Sequence, residues 1–358
     1  MGHDLIEFDW DINYSTKKSR SDWEKKEKYV RNKQLVEKVQ KAHEKKKIDL
    51  FLSIGREEWA CPEGIEKIKK LGLVTLNFVP DDIWETDFME HYKNLALVYD
   101  YNWTIQMNSF KNYTKIGATS IYAPPGADPY IYKPYSCERD LDVVFMGSNF
   151  GYRKKLLQTI VDAGLPLRIC GGGWYRDKLC AVKVVFDDII YFCWRCKIMT
   201  REEITELAHE LLFSDIIWYM KHLNGIEDIF GPGLPLDESV KMYSRSKITL
   251  NFSGTGGPYE RNFYKSIKAV KGRDVEAPMS GAFYLTEYTD DIAQLYKIGK
   301  EIEIYRSIPE LLDKIKYYLE NPNEVEAIRE AGRKRALQDY TWEKCFEKIF
   351  DRIGLLKR

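Results

Sequence analysis

Several familiar signals are missing from this 358-residue chain, and each absence excludes something. There is no surplus of charge: Lys plus Arg and Asp plus Glu each count 55, so no global field draws in nucleic acid. No apolar run approaches the roughly 20 residues needed to cross a bilayer. Met1-Gly2-His3-Asp4 is polar and no apolar stretch follows, unlike a secretory leader. Seven cysteines, an odd number at irregular spacing, point to reduced thiols in a cytoplasmic protein rather than a disulfide framework. Cys193 and Cys196 form one tight pair but no second pair exists, so a zinc site lacks half its ligands. The apolar neighbours Phe192, Trp194 and Ile198 predict that these two thiols are buried and inert. No loop ends in Gly-Lys-Ser/Thr and no glycine spacing fits the dinucleotide fingerprint, which disfavours NTP hydrolysis and NAD chemistry. No Asp-x-Asp pair stands where a strand ends in the second half, so no metal ligands are predicted there.

What is present suits a soluble, two-domain α/β chain, with 44% hydrophobic and 31% charged residues. Residues 21–47 read as one helix with Leu35, Val36, Val39 and Ala42 on its apolar stripe. Its outer face is strongly basic: it is either solvated or docks on an anionic membrane surface. Ile48 to Ile54 is a strand covered on both faces. A helix at 62–71, a strand at 72–79, then a helix and a strand at 95–99 continue the βαβ alternation of a Rossmann-like half. Pro80-Asp81-Asp82-Ile83-Trp84 falls at the carboxyl end of the 72–79 strand, where open α/β sheets bind ligands. Asp81 or Asp82 is placed to contact an acceptor or serve as base, and one of the two caps the helix starting near Ile83.

Ile121-Tyr122-Ala123-Pro124-Pro125-Gly126 reads as a hinge. The next half opens with a strand, Leu141 to Met146, then Gly147-Ser148-Asn149-Phe150-Gly151-Tyr152-Arg153 and a helix to about Gly164. Such a loop presents backbone N–H groups to an anion, and Arg153 adds charge. A strand from Leu167 to Cys170 runs into Gly171-Gly172-Gly173-Trp174. After an insertion at 175–235, with a helix at about 201–220, come a helix at about 237–245, a strand from Lys247 to Phe252 and a flexible loop, Ser253 to Pro258. Ser307-Ile308-Pro309-Glu310 is a capping box, and Thr341 caps a last helix.

One stretch, Lys271 to Tyr288, organises the rest. Arg273 has the planar fork that grips phosphate, and Glu276 the two oxygens that accept from the vicinal hydroxyls of a ribose. Backbone N–H groups near Ser280 and Gly281 would complete a diphosphate cradle before a short buried strand, Ala282 to Leu285. The plainer reading of the same residues is a surface ion pair followed by an ordinary turn.

The Arg, the Glu three residues later, and the small-residue turn before Leu285-Thr286 resemble the donor-site signature of the group-1 glycosyltransferases. The resemblance is to the branch similar to spore-maturation protein CgeB. It continues through Tyr288-Thr289-Asp290, Gly299-Lys300-Glu301, Tyr317-Tyr318-Leu319 and Ala331-Gly332, and upstream through Val143 to Ser148 and Ser246 to Phe252. It implies two Rossmann-like domains facing across a cleft, the GT-B architecture. Their expected bounds are 1–125 on the acceptor side and 126–340 on the donor side, with a terminal helix at 341–358 crossing back to the first.

Gly2-His3-Asp4-Leu5-Ile6-Glu7-Phe8-Asp9 resembles that family's second strand, so either the chain begins late or it builds a trimmed first domain, lacking its first strand and helix. The implied activity is metal-independent transfer of a sugar from a nucleotide-diphosphate sugar, with no other cofactor. The implied donor residues are Gly147, Ser148, Arg153, Gly173, Trp174, Lys271, Glu276, Ser280, Gly281, Ala282 and Phe283, with Arg273 and Asp81 or Asp82 in the chemistry. Lys268 stands where the wider family has a second acidic donor-site residue. A cytoplasmic location is expected, peripheral to the inner membrane face if the basic helix docks there. Two other readings stay open: a nucleotide-sugar-binding protein without activity, and an oxidoreductase on twin Rossmann domains, against which the missing fingerprint counts.

Overall fold

The computed structural model describes residues 2–9, 27–54, 60–81, 84, 89–174, 183, 186, 189–190, 193, 196, 200–209, 215–222, 224–254, 263 and 266–356. The chain divides into two compact units, Met1–Gly126 with Asp339–Arg358, and Ala127–Gln338.

In the first unit, α1 (Lys28–Lys45) buries Leu35 and Asn32. The Asn32 side chain accepts from the Cys61 N–H at 2.8 Å, where α2 (Pro62–Lys69) begins. Strands β1 (Leu50–Ile54), β2 (Val74–Val79), β3 (Tyr101–Thr104) and β4 (Ser120–Tyr122) form a parallel sheet in chain order. Helices α2, α3 (Met89–Val98) and α4 (Met107–Lys115) make the crossovers. Three expectations fail here. The run expected as a strand at 95–99 is instead the end of α3, which reaches Val98, with Leu95 buried and Leu97 51% exposed; a short apolar run does not by itself distinguish helix from strand. β1 is not covered on both faces, because the face that carries Leu52 and Ile54 leaves them 38% and 66% exposed. Gly2–Asp9 forms no strand: Lys38 reaches the Glu7 carbonyl and Lys46 pairs with Asp4, so side chains tie the segment to α1 in place of a ladder.

The last helix, α14 (Trp342–Arg352), is capped by Thr341, whose side chain accepts from the Lys344 N–H. Its apolar face joins Leu76, Trp103 and Ile121 of the first sheet. Trp342 leaves no space beside Gly126, where a Cβ would lie 2.7 Å from the Trp342 Cα.

The second unit holds β5 (Leu141–Met146), α5 (Arg153–Asp162), β6 (Arg168–Cys170), α6 (Arg201–Ala208), α7 (Asp215–Lys221), α8 (Ile226–Ile229), β7 (Phe230–Gly231), α9 (Leu236–Arg245), β8 (Ser246–Asn251), α10 (Arg273–Met279), β9 (Tyr284–Glu287), α11 (Asp290–Leu295), β10 (Glu303–Tyr305), α12 (Ile308–Glu320) and α13 (Pro322–Asp339). Its sheet is parallel in the order β10-β9-β8-β5-β6-β7. Val143, Phe145, Ile248, Leu250 and Phe283 are buried between that sheet and its helices. Ser307 starts α12 by accepting from the Glu310 N–H, and Glu310 accepts in return from the Arg306 N–H.

The insertion departs from expectation. Its described helical pieces at 201–221 are two, α6 and α7. Cys193 is exposed and Cys196 half-exposed rather than buried. Phe186 and Ile190 are exposed as well, and Phe192, Trp194 and Ile198 lie outside the described residues. Among the described residues no helix is long and apolar enough to cross a membrane.

Candidate functional site

The second sheet changes its direction of growth at β5, with β6 added on one side and β8 on the other. At such a switch point the loops after the two strands part and leave a crevice at the carboxyl ends. The loop after β5 is Gly147-Ser148-Asn149. Its Gly147 N–H is bonded to the Cys170 carbonyl and its Asn149 N–H to the Gly172 carbonyl.

Two guanidiniums converge on this loop. Arg273, the first residue of α10, donates to the Met146 carbonyl at 2.7 Å. Arg153, the first residue of α5, donates to the Ser148 carbonyl at 3.3 Å and is only 9% exposed. Both lie over the Phe145 ring, at 5.7 and 5.9 Å from its centroid. Among the described residues neither has a carboxylate within ion-pair distance. Burial first, then the neighbouring Arg273 charge, brings Arg153 down to about 10. At neutral pH it is still charged, and its charge is unfavourable until an anion joins it. Gly147 is required here, because a Cβ would stand 2.9 Å from the Phe145 ring and 3.2 Å from Arg273 Nη1.

Glu276 sits one turn along α10 from Arg273. Its carboxylate hangs over Gly272, 3.0 Å from where a Cβ would be. Burial raises the Glu276 carboxyl above the ordinary carboxylate range, against the pull of the nearby Tyr132 hydroxyl and the Arg273 charge. Asp274, fully buried, turns the other way. It accepts from the Lys271 N–H at 2.6 Å, the Tyr284 hydroxyl at 2.7 Å and the Asn251 amide at 3.2 Å, which pins the start of the helix to β8 and β9.

The expected cradle at Ser280 and Gly281 does not form. Residues 273–279 are helix rather than turn, so the Ser280, Gly281 and Ala282 N–H groups are spent on the Glu276, Pro278 and Ala277 carbonyls. Gly281, at φ 75°, ends the helix, and its carbonyl takes two donors from Arg329. Seven residues of helix put this turn on the order of 10 Å along the axis from Arg273. Ala282 and Phe283 are in the core, Phe283 against Tyr318. Trp174 is also buried: its indole donates to the Gly147 carbonyl at 2.7 Å, so it braces the loop instead of offering a face to a base. Gly173 is exposed at φ 77° and accepts from the Asn149 amide. Asp81 is exposed just beyond the carboxyl end of β2, in the first unit; Asp82 and most of the Ser253–Pro258 loop lie outside the described residues.

Sequence reasoning missed a second charged cluster. Glu287, at the end of β9 and fully buried, accepts from the Tyr152 hydroxyl and from the Ser253 N–H at 2.9 Å. Its other oxygen is 2.7 Å from Lys268 Nζ, which also lies over the Phe263 ring. Lys268 therefore carries a carboxylate partner of its own. The only hint in the sequence was that Lys268 replaces an acid; nothing local pointed to Glu287, Tyr152 or Tyr132.

Solved proteins share this arrangement of two parallel sheets. Sucrose-phosphate synthase from Thermosynechococcus elongatus does so at 12% identity and TM-score 0.54, over 92% of this chain and 80% of that one. Anabaena HepE in complex with UDP does so at 13% identity and TM-score 0.59, over 90% of this chain and 82% of that one. A glycosyltransferase from Rickettsia africae aligns at 11% identity and TM-score 0.54, over 97% and 83%. The fold is that of the GT-B glycosyltransferases. No curated protein matches the sequence. The Glycosyl transferase-like family matches residues 153–351, more than half of the chain. The chain belongs to that family and is, by that membership, a transferase.

Proposed function

We propose that the chain transfers a sugar from a nucleotide-diphosphate sugar, and that its second unit binds the donor. The observation that carries this reading is the pair of guanidiniums, Arg153 and Arg273, set without ion-pair partners among the described residues at the switch point of a parallel sheet. A diphosphate supplies the missing charge, and as the sugar leaves, the two cations stabilise the negative charge that grows on it. Glu276, one turn from Arg273, accepts from the ribose hydroxyls; Lys271 and the Ser148 backbone border the phosphates. The binding of UDP by HepE, a protein of the same fold, supports a nucleotide of this class.

In this reading the cations that neutralise the leaving group belong to the protein, and transfer needs no metal. Among the described residues no group of three or more His, Cys, Asp or Glu is arranged to hold one. The order of motifs from Val143 to Gly332 supports the CgeB-like branch of the family. Asp81 or Asp82 is proposed to serve the acceptor, whose identity the residues do not specify. The basic face of α1, with Leu5 81% and Ile6 56% exposed beside it, is proposed to rest on an anionic membrane surface from the cytoplasmic side.

The test is a calorimetric panel of UDP, GDP, CDP and ADP and their sugars, followed by transfer or hydrolysis of a labelled sugar from the tightest donor. A donor at 100 times its Kd should add about 2.7 kcal/mol of stability. Binding without turnover would favour a nucleotide-sugar-binding protein, and no binding by any of them would overturn the donor site.

A further inference from the structure

We propose that Tyr152, anchored by the buried carboxylate of Glu287, is the positioning residue for Arg153; this rests on the donor-site reading above. Tyr152 is where α5 starts: its carbonyl accepts from the Leu156 N–H at 3.2 Å, and Arg153 follows it directly. The place of Tyr152 therefore sets where the Arg153 side chain begins. Several contacts hold it there. Its hydroxyl donates to Glu287, the last residue of β9, and accepts from the Gly254 N–H at 3.0 Å. Its ring is edge-on to Phe263 at 5.3 Å and to Phe252 at 6.5 Å. Phe252 packs in turn on Phe145, 4.6 Å between centroids, and Phe145 is the ring under both guanidiniums. No side chain fits between Gly254 and Tyr152, since a Cβ would stand 2.5 Å from the tyrosine ring.

Glu287 is a hub for three segments remote from one another in the chain. Besides Tyr152, it accepts from the Ser253 N–H at 2.9 Å and meets Lys268 Nζ at 2.7 Å. Gly254 and Lys268 bridge antiparallel, and the Ala269 N–H donates to the Ser253 carbonyl at 2.9 Å. One carboxylate thus ties the start of α5 to the chain leaving β8 and to the chain returning towards α10. A buried ion pair adds little stability over apolar side chains, and its best-attested use is to fix one arrangement. The arrangement here needs fixing. Arg153 and Arg273 are like charges set over one ring, and in the empty site their repulsion favours the outward swing of Arg153. Tyr152 therefore acts on the diphosphate through Arg153, without touching it.

The experiment uses Tyr152→Phe, which keeps the ring and removes the hydroxyl. In the empty protein the Arg153 Nε–H signal is followed by nitrogen-15 NMR, assigned by its loss in Arg153→Met. Its exchange with water should quicken in Tyr152→Phe; unchanged exchange overturns the proposal. Calorimetry with UDP and UDP-glucose follows. Tyr152→Phe should weaken binding about fivefold, within the usual worth of one hydrogen bond, and by less than about twofold when Arg153 is already Met. Equal losses in both backgrounds overturn it, because Tyr152 would then touch the ligand or merely support the whole unit. Glu287→Gln, which keeps an oxygen for the tyrosine hydroxyl, should bind UDP more tightly than Glu287→Ala. Equal weakness of the two would make the charge of Glu287 the cause and overturns the proposal. If the Arg153 signal responds but neither ligand binds the parent protein, the positioning contact is supported and the donor-site reading is the one that falls.

Discussion

The two sheets are built from the same parts and treat charge in opposite ways. The first keeps chain order, β1-β2-β3-β4, and meets the charge of Asp100 with an opposite one. Asp100 there accepts from the Thr75 N–H and hydroxyl and meets Lys69 Nζ at 2.8 Å; Ser53 bonds to both Asn77 and Tyr99. The second sheet reverses at β5 and leaves Arg153 and Arg273 beside the reversal with carbonyls but, among the described residues, no carboxylates. Parallel strands and crossover helices make a domain. A binding site needs, in addition, a topological break and a charge that the fold leaves unbalanced.

The contrast can be tested by attacking each sheet separately. The largest effect is expected from Trp103→Ala, which empties the core shared by the first sheet and α14. It should cost about 3–5 kcal/mol of stability in a calorimetric melt, with UDP affinity at low temperature unchanged. Loss of UDP affinity there would show that the two units do not act independently. Next, replacing Lys38, Lys41 and Lys45 by Gln should remove about 3 kcal/mol of binding to anionic vesicles, and sedimentation with neutral vesicles should be unaffected. If the variant sediments like the parent, the basic face is merely solvated.

Arg153→Met and Arg273→Met should each cost about 1.5–3 kcal/mol of UDP affinity, with a larger loss in turnover. Neither should lower the melting temperature of the empty protein, because removing one of two neighbouring cations relieves repulsion. Normal binding with early melting would instead make the pair structural. A smaller effect concerns pH. The folded protein raises the Glu276 carboxyl, chiefly by burial, and binding needs it ionised. UDP affinity should therefore fall as pH drops through that raised value, with half-loss above the ordinary glutamate value of about 4.3, and Glu276→Gln should flatten the curve. The smallest effect is EDTA, which should leave transfer unchanged; activity lost to EDTA and restored by magnesium would transfer the arginines' role to a cation.

The legible parts were those with short-range causes. The strand Leu141 to Met146 and the loop to Arg153 show in one window, as do the Ser307 and Thr341 caps, because apolar alternation and capping hydroxyls act over a few residues. Where a short window was ambiguous, reading failed: Leu95 to Tyr99 suited strand or helix, and Arg273 to Gly281 suited turn or helix. In the second case the error moved the anion site, since helix formation consumes the N–H groups that a turn would have left free.

Sequence alone determined the α/β class, the position of the glycine loop after β5, and the pairing of Arg273 with Glu276 on one stretch. All three follow from period, turn chemistry and spacing, which are local. Tertiary structure decided which of these groups share a site. It set Arg153 beside Arg273 over one phenyl ring and gave Lys268 its partner in Glu287. Whether a charge is balanced, free for a ligand or held in place depends on distances between residues remote in the chain, and folding sets those distances.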